Sequence, residues 1–363
     1  MGDKTDLESL RKQIDDLDQN LQDLINRRAE LAGEVARVKQ REGKDSAFFY
    51  RPEREAQILR RIRERNRGPL DSESMTRLFR EIMSACLALE QPTRVAFLGP
   101  EGTFTQQAAL KHFGHAVESV PLGAIDEVFR EVEAGAAHYG VVPVENSTEG
   151  VINHTLDSFM DSSLRICGEV ELRIHHHLMV GPSTQEGQIT RIYSHQQTLA
   201  QCRKWLDAEM PMAERVAVSS NAQAAKRLMS EWNAAAIAGE VAAELYDLRI
   251  IKRNVEDRPD NTTRFLVVGR QDVPPSGHDK TSILVSMKDR PGALYAILQP
   301  FREEGISLTR IESRPSRSAT WSYVFFIDFE GHQEDKTVAR ALSRLGSEAQ
   351  ELRVLGSYPR AVL

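Results

Sequence analysis

Leu7, Leu10, Ile14, Leu17, Leu21, Leu24, Leu31, Val35 and Val38 recur at alternating intervals of three and four. That spacing is the seam of a helix that must cover one stripe with another helix. It predicts one helix of about 35 residues, longer than a usual globular helix, with Asp6 as its cap and Gly43 as its stop. Gly33 lies inside the pattern and weakens it, but the periodicity runs on past it. One position breaks the seam: Arg28 stands where an apolar residue is due between Leu24 and Leu31. A seam arginine is costly unless it meets an anion.

Arg28 and Lys39 lie about three turns apart on one face, roughly 16 Å along the axis, so two long side chains can converge on a ligand between them. Arg11 is roughly 25 Å from Arg28 and points elsewhere on the wheel. If Arg11 serves the same ligand, it must come from a second copy of the chain. A coiled-coil dimerisation helix with solvated charges is the competing reading.

Two more helices are expected. Pro52 suits a first helical position, Glu53 and Glu55 suit the first turn, and Ile58, Leu59 and Ile62 form the apolar face. Gly68-Pro69 ends that helix. The third starts near Asp71-Ser72 and carries Met75, Leu78, Phe79, Ile82, Met83, Cys86 and Leu87. Glu90 continues its stripe. A carboxyl there either frays into solvent or sits buried and protonated.

At 363 residues the chain can hold two or three domains. A formal net charge of -6 argues against a general nucleic-acid binder. Cys86, Cys167 and Cys202 are widely spaced and form no CxxC, against a disulfide framework or a metal site. The first residues show no apolar signal region and no apolar run reaches membrane-spanning length. The expectation is a cytoplasmic protein with no membrane contact.

The three helices with Arg11, Arg28, Lys39, the Arg54-Glu55 pair and Glu90 resemble the all-helical chorismate mutases. The resemblance implies a dimer intertwined through the first helix, each site taking one arginine from the partner. It implies that Arg11 and Arg28 clamp the carboxylates of chorismate, that Lys39 and Glu90 bond the breaking ether oxygen, and that Glu55 holds a hydroxyl. Arg54 joins the substrate-binding set, and Cys86 offers a backbone contact. Arg51 falls where the family often has an aspartate. The reaction is pericyclic, so restraint and electrostatics carry it. The family often has glutamine where this chain has Glu90. A glutamate donates to an ether oxygen only when protonated, so mutase activity is expected to decline as pH rises.

Composition shifts after Gln91-Pro92. Arg94–Leu98 reads as a strand running into Gly99-Pro100-Glu101-Gly102-Thr103-Phe104, with a helix from Gln106; such a loop can bind an anion. Tyr139–Val144 reads as a buried strand ending in Glu145-Asn146-Ser147. Arg191–Tyr193 leads to Ser194-His195-Gln196-Gln197, and Ala234–Ala238 is a further strand. Strands alternating with helices argue a parallel or mixed sheet whose polar strand ends converge on one cleft. The stretch Asn261-Thr262-Thr263-Arg264-Phe265 is a polar loop feeding the buried run Leu266-Val267-Val268, suited to a small anionic ligand. His175-His176-His177 is no simple metal site, because neighbours on a strand face opposite ways. His195 suits a general base or a structural role, and with Ser194 it makes no triad.

Gly99–Phe104, Glu145-Asn146-Ser147, Ser194-His195-Gln196 and Thr263-Arg264-Phe265, in that order, resemble prephenate dehydratase. The resemblance implies two α/β lobes with the site between them and no cofactor. Prephenate would lose its ring carboxylate as carbon dioxide and its 4-hydroxyl as water. By resemblance, Thr263 is the residue most tied to catalysis, as a donor to the departing hydroxyl. Thr103, Glu145, Asn146, Ser147, Ser194, His195, Gln197, Arg264 and Phe265 would line the substrate.

Val273–Gly277 reads as a linker. After it come a strand at Ser282–Val285, a turn at Asp289–Gly292, a helix at Leu294–Glu304, strands at Ile306–Glu312 and Tyr323–Phe329, a helix at Glu334–Leu345, and a strand at Arg353–Leu355. That order, βαββαβ, is ferredoxin-like. Gly292-Ala293-Leu294 and Glu312-Ser313-Arg314 resemble the amino-acid-binding motifs of ACT regulatory domains, which implies a phenylalanine site at a dimer interface. The competing reading there is a pure dimerisation module.

The expected architecture is an all-α three-helix domain (1–92), a two-lobed α/β domain (93–272) and an α+β ferredoxin-like domain (280–363). The expected protein is a homodimeric bifunctional enzyme with chorismate and prephenate as substrates, phenylalanine as effector, no metal and no nucleic-acid partner. The rival is a non-catalytic ligand sensor of the same architecture.

Overall fold

The computed structural model describes residues 2–41, 50–287, 290–316 and 323–362, without the side chains of 2–6, 39, 40 and 186. The first unit is three helices, α1 (Gly2–Arg41), α2 (Pro52–Arg65) and α3 (Ser72–Glu90). α1 begins at Gly2, so Asp6 lies inside the helix and does not cap it. The expected stop at Gly43 lies outside the described residues. α2 opens on Pro52 as expected but ends at Arg65, before Gly68-Pro69, because the Asn66 amide donates to the Leu70 carbonyl and turns the chain early. Asp71 caps α3 by accepting from Ser74 N. The seam of α1 stays open in the single chain: Leu17 is 61% and Leu24 68% exposed.

The middle unit has two lobes. In the first lie β1 (Arg94–Leu98), α4 (Phe104–Phe113), β2 (Glu118–Leu122), α5 (Ile125–Glu133), β3 (Tyr139–Asn146), β4 (Gly150–Val151), α6 (Asn153–Asp161) and β5 (Arg165–Arg173). The chain then builds the second lobe from β6 (His177–Val180), β7 (Arg191–His195), α7 (Gln196–Gln201), α8 (Arg203–Glu209), β8 (Glu214–Val218), α9 (Asn221–Arg227), β9 (Ala234–Ala238), α10 (Glu240–Leu245) and β10 (Arg249–Lys252). It returns to the first lobe through β11 (Thr262–Gly269), which inserts between β3 and β5 in the order β2-β1-β3-β11-β5. β1 is parallel to β2 and β3, while β11 is antiparallel to both its neighbours, so the sheet is mixed. The second sheet runs β10-β6-β9-β7-β8 and is also mixed. β9 is all alanine and isoleucine and fully buried, as a strand covered on both faces must be.

α4 starts two residues earlier than expected, because the Thr103 hydroxyl accepts from Gln106 N and begins the helix there. The loop before it needs glycine: Gly102 has φ +81°, and a Cβ there would lie 3.3 Å from the Ala242 backbone of the second lobe.

The last unit is β12 (Asp279–Ser286), α11 (Ala293–Glu303), β13 (Leu308–Pro315), β14 (Tyr323–Glu330), α12 (Lys336–Glu348) and β15 (Glu351–Pro359), with sheet order β13-β14-β12-β15. This is the expected βαββαβ order. β15 is longer than expected because it pairs along the whole of β12. Asp289, in the expected turn, lies outside the described residues. The three units are tied together: Arg60 of α2 donates to the Ser276 carbonyl, and Arg353 of β15 donates to carbonyls at the end of α6.

Candidate active sites

A cavity of about 300 Å³ opens between the three N-terminal helices. α1 contributes Arg28, the start of α2 contributes Arg51, Arg54 and Glu55, and α3 contributes Cys86 and Glu90. Val35, Ile58, Met83 and Leu87 form apolar walls. Positive groups over an apolar floor suit a small anion with an uncharged ring. Burial pushes the Glu55 carboxyl above its ordinary range, against the pull of Arg80 and Arg28. Arg51 is half exposed and spends its Nε on Glu53 at 2.7 Å. Cys86 is buried. Arg11 sits on the exposed surface of α1 and is absent from the cavity lining. The Lys39 side chain lies outside the described residues.

The second cluster centres on Thr263, the second residue of β11, which pairs with Asn146 at the end of β3. The hydrogen bonds fix which way each group points. Asn146 Oδ1 accepts from the backbone N–H of Thr148 at 2.9 Å and of Glu149 at 3.1 Å. Its amide must then face the other way, and Nδ2 donates to Thr263 Oγ1 at 2.7 Å and Asn261 Oδ1 at 2.9 Å. Thr263 therefore accepts from Asn146 and keeps its own proton to give elsewhere. Asn261 Nδ2 reaches Gln201 Oε1 of the second lobe at 3.4 Å. Gln201 in turn donates to Glu149 and lies 2.8 Å from His176 Nε2. Burial lowers the pKa of His176. Burial raises the Glu149 carboxyl, with Gln201 and His195 drawing it down. An adjoining cavity of about 360 Å³ is lined by Thr148, Glu149, Gln197, Gln201 and Asn261.

The other sequence-predicted residues divide. Thr103 caps α4 and also donates to the Leu98 carbonyl. Ser147 Oγ accepts from Thr262 N and holds the strand start. Ser194 is fully buried, 2.7 Å from the Ile237 carbonyl and 2.9 Å from Asn221 Oδ1. It is a strut and not a substrate contact, and it presents the β7–α7 junction that carries the half-exposed His195 and the exposed Gln197.

Glu145, Arg264 and Phe265 are corrections to the expected substrate lining. Neighbours on a strand face opposite ways, so with Thr263 and Asn146 on the cleft side, Arg264 and Glu145 turn to the reverse face. There Arg264 meets Glu169 at 2.9 Å, Asp328 at 2.6 Å and the Tyr358 hydroxyl at 2.9 Å. Burial works against the Arg264 charge, but Tyr358, Asp328 and Glu169 more than offset it and drive its pKa up. Lys280 completes the knot on Glu169 at 2.8 Å. Glu145 pairs with Arg310 of β13 at 3.1 Å. Phe265 is 1% exposed and belongs to the core with Tyr139, Val141 and Val267.

Of the expected effector residues, Gly292, Ala293 and Leu294 open α11 and Glu312, Ser313 and Arg314 lie on the edge strand β13. Arg314 makes a two-oxygen pair with Asp157 of α6. His175, His176 and His177 meet Glu256, Gln201 and Asn254 N, three separate partners. Asn261, Gln201 and Asn221 hold these groups in place; of the three, only Asn261 had a signal, as the first residue of the stretch around Thr263.

The comparisons with known proteins cover each unit. Family models match for chorismate mutase type II over residues 10–91, prephenate dehydratase over 95–273 and the ACT domain over 281–347. A bifunctional chorismate mutase/prephenate dehydratase of Pseudomonas aeruginosa is 64% identical over 100% of both chains. One from Aquifex aeolicus is 46% identical over 99% of both. Among solved structures, prephenate dehydratase in complex with L-Phe from Arthrobacter aurescens is 38% identical, with TM-score 0.69, over 74% of this chain and 90% of its own.

Proposed function

Because the chain belongs to the family of bifunctional chorismate mutase/prephenate dehydratases, we propose that it converts chorismate to prephenate in the helical unit and prephenate to phenylpyruvate in the cleft of the α/β unit. Phenylalanine restrains the second reaction through the ACT domain.

In the helical cavity, Arg28 and Arg54 hold the carboxylates, Glu55 accepts from the ring hydroxyl, and Glu90 and Lys39 donate to the ether oxygen as its bond breaks. Two copies of the chain bury the open α1 seam against each other, and the partner's Arg11 completes the carboxylate clamp. Charge developing between the two halves of the substrate is stabilised by groups already in place.

In the cleft, the bond from the ring to its carboxylate breaks and carbon dioxide leaves. The freed electron pair moves through the ring and expels the 4-hydroxyl, which takes a proton and departs as water. Formation of the aromatic ring drives the step. Thr263 donates to the departing oxygen. The observation that carries this role is the orientation of Asn146, whose two amide hydrogens are committed to Thr263 and Asn261. In the ACT domain, Gly292–Leu294 of one copy and Glu312–Ser313 of the other face phenylalanine across the contact between copies. The bond of Arg314 to Asp157 links that contact to the dehydratase unit.

The test is to give purified protein chorismate, with no added cofactor, and follow its loss and the appearance of phenylpyruvate, with and without phenylalanine. In Thr263→Val the dehydratase rate should fall roughly 10²–10³-fold while chorismate is still consumed at the wild-type rate. A Thr263→Val enzyme that still aromatises prephenate at full speed removes Thr263 from the mechanism.

A further inference from the structure

Arg80 of α3 has no part in either reaction as described above, yet it is a buried cation on the border of two units. Its Nη2 lies 3.5 Å from Glu55 Oε1. Its Nη1 donates to the carbonyls of Lys111, at 3.0 Å, and His112. Those carbonyls end α4, the helix whose other end Thr103 caps. The last carbonyls of a helix carry partial negative charge and attract a cation. Arg80 Nε is buried with no hydrogen-bond partner among the described residues, so Glu55 and the end of α4 are what orient the guanidinium.

Resting on the reading of the helical cavity as the mutase site, we propose that Arg80 is a positioning residue for the mutase reaction: it holds Glu55 as a fixed, ionised acceptor for the substrate hydroxyl, and the dehydratase unit holds Arg80 through α4. The mutase site is then built partly by a helix that belongs to the other enzyme.

Several charged or titratable groups border Glu55. Arg28 of α1 and Arg54 of α2 share its cavity, with Glu90 of α3 at the far side. Toward the α/β unit lie Tyr50, Lys111 and His112, then Glu169 and Arg360. Burial pushes Tyr50 up and takes His112 down to about 3, so both are neutral across the working range. Arg80 and Arg28 are the groups that draw Glu55 down against its burial. Loss of Arg80 therefore leaves Glu55 protonated to higher pH, where it can no longer act as a pure acceptor.

The experiment measures mutase kcat and KM against pH for the full-length wild type, Arg80→Gln, Arg80→Lys and Glu55→Gln, with dehydratase activity on added prephenate from the same preparations. In the wild type, Glu55 gives the acid limb of the profile and Glu90 the alkaline limb. Arg80→Gln should move the acid limb up by about one pH unit, so that activity below it falls about tenfold, mainly in kcat. The alkaline limb should stay. Arg80→Lys should return the acid limb part of the way, and Glu55→Gln should abolish it. Dehydratase activity should hold within about twofold in each case. An acid limb that stays put in both Arg80 variants overturns the proposal, as does an equal loss of both activities with no change in profile, which would mean a purely structural arginine. If Arg80→Gln fails to fold, Arg80→Lys decides through its smaller shift. A wild type that leaves chorismate untouched would overturn the mutase reading itself, a result distinct from an active enzyme with an unmoved limb.

Discussion

The helical cavity gathers full charges, with Arg28, Arg54, Glu55 and Glu90 facing one space from three helices. Around Thr263 the arrangement is reversed. Every group hydrogen-bonded in that cluster up to Gln201 is an amide or a hydroxyl, and the charges on the same strands, Glu145 and Arg264, are turned to the opposite face and paired there. Helices can aim long cations from distant turns at one point. A strand cannot aim two neighbours at the same ligand. The charge beside Thr263 instead locks its strand to the regulatory unit, and Thr263 itself is oriented by neutral donors, while the adjoining cavity also carries Glu149, Lys204 and Arg258. The groups that meet in the helical cavity are charged, whereas those that orient Thr263 act through the direction of their dipoles.

The largest effect that would sharpen this comparison is expected from Arg28→Ala. Removing one charged donor from a preorganised site costs about 3–4 kcal/mol, so mutase kcat/KM should fall roughly 10²–10³-fold. Dehydratase activity, assayed on added prephenate, should be unaltered. If both fall together, the two regions are not separable and the comparison breaks.

The cleft answers to a different change, one that keeps shape and reverses a dipole. Asn146→Asp replaces an amide that donates to Thr263 with a carboxylate that only accepts. The Thr263 proton then turns back onto Asn146's replacement and is lost to the substrate. Dehydratase activity should drop on the order of 10²-fold, with mutase activity unmoved. Retention of full dehydratase activity by this variant would show that dipole direction at Thr263 is irrelevant.

How much of this was legible beforehand follows the same division. The three helices and the βαββαβ unit were readable because period and turn residues are local signals, whereas the strand orders of the two α/β sheets, with β11 returning between β3 and β5, were not. In the helical cavity, spacing alone singled out Arg28 as the break in the seam, while Arg54 and Glu55 entered through the resemblance and meet Arg28 only once the helices pack. The motif around Thr263 was readable as a motif but not as a geometry. Arg264 stands beside Thr263 in the motif and reads as a ligand group, although strand alternation places the two on opposite faces. Its partners Glu169, Asp328 and Tyr358 lie in three other strands, and nothing local in the sequence announces such long-range pairing. Arg80 was hidden in the same way, because its role comes from carbonyls at the end of a helix in another domain.

The smallest expected effect is at Glu90, and it tests the charged site by removing a charge without removing a donor. If Glu90 donates to the ether oxygen, it works only while protonated, so mutase activity in the wild type declines as pH rises. Glutamine donates through its amide at every pH. Glu90→Gln should therefore change the rate little on the acidic side and keep it level where the wild type declines, a difference of a few-fold near neutrality that grows with pH. The acid limb assigned to Glu55 should be the same in both enzymes, which separates this effect from any change at Arg80. A wild-type rate that stays flat on the alkaline side would mean that Glu90 acts as an anion, and the helical site would then owe its catalysis to Arg28, Lys39 and the partner's arginine alone.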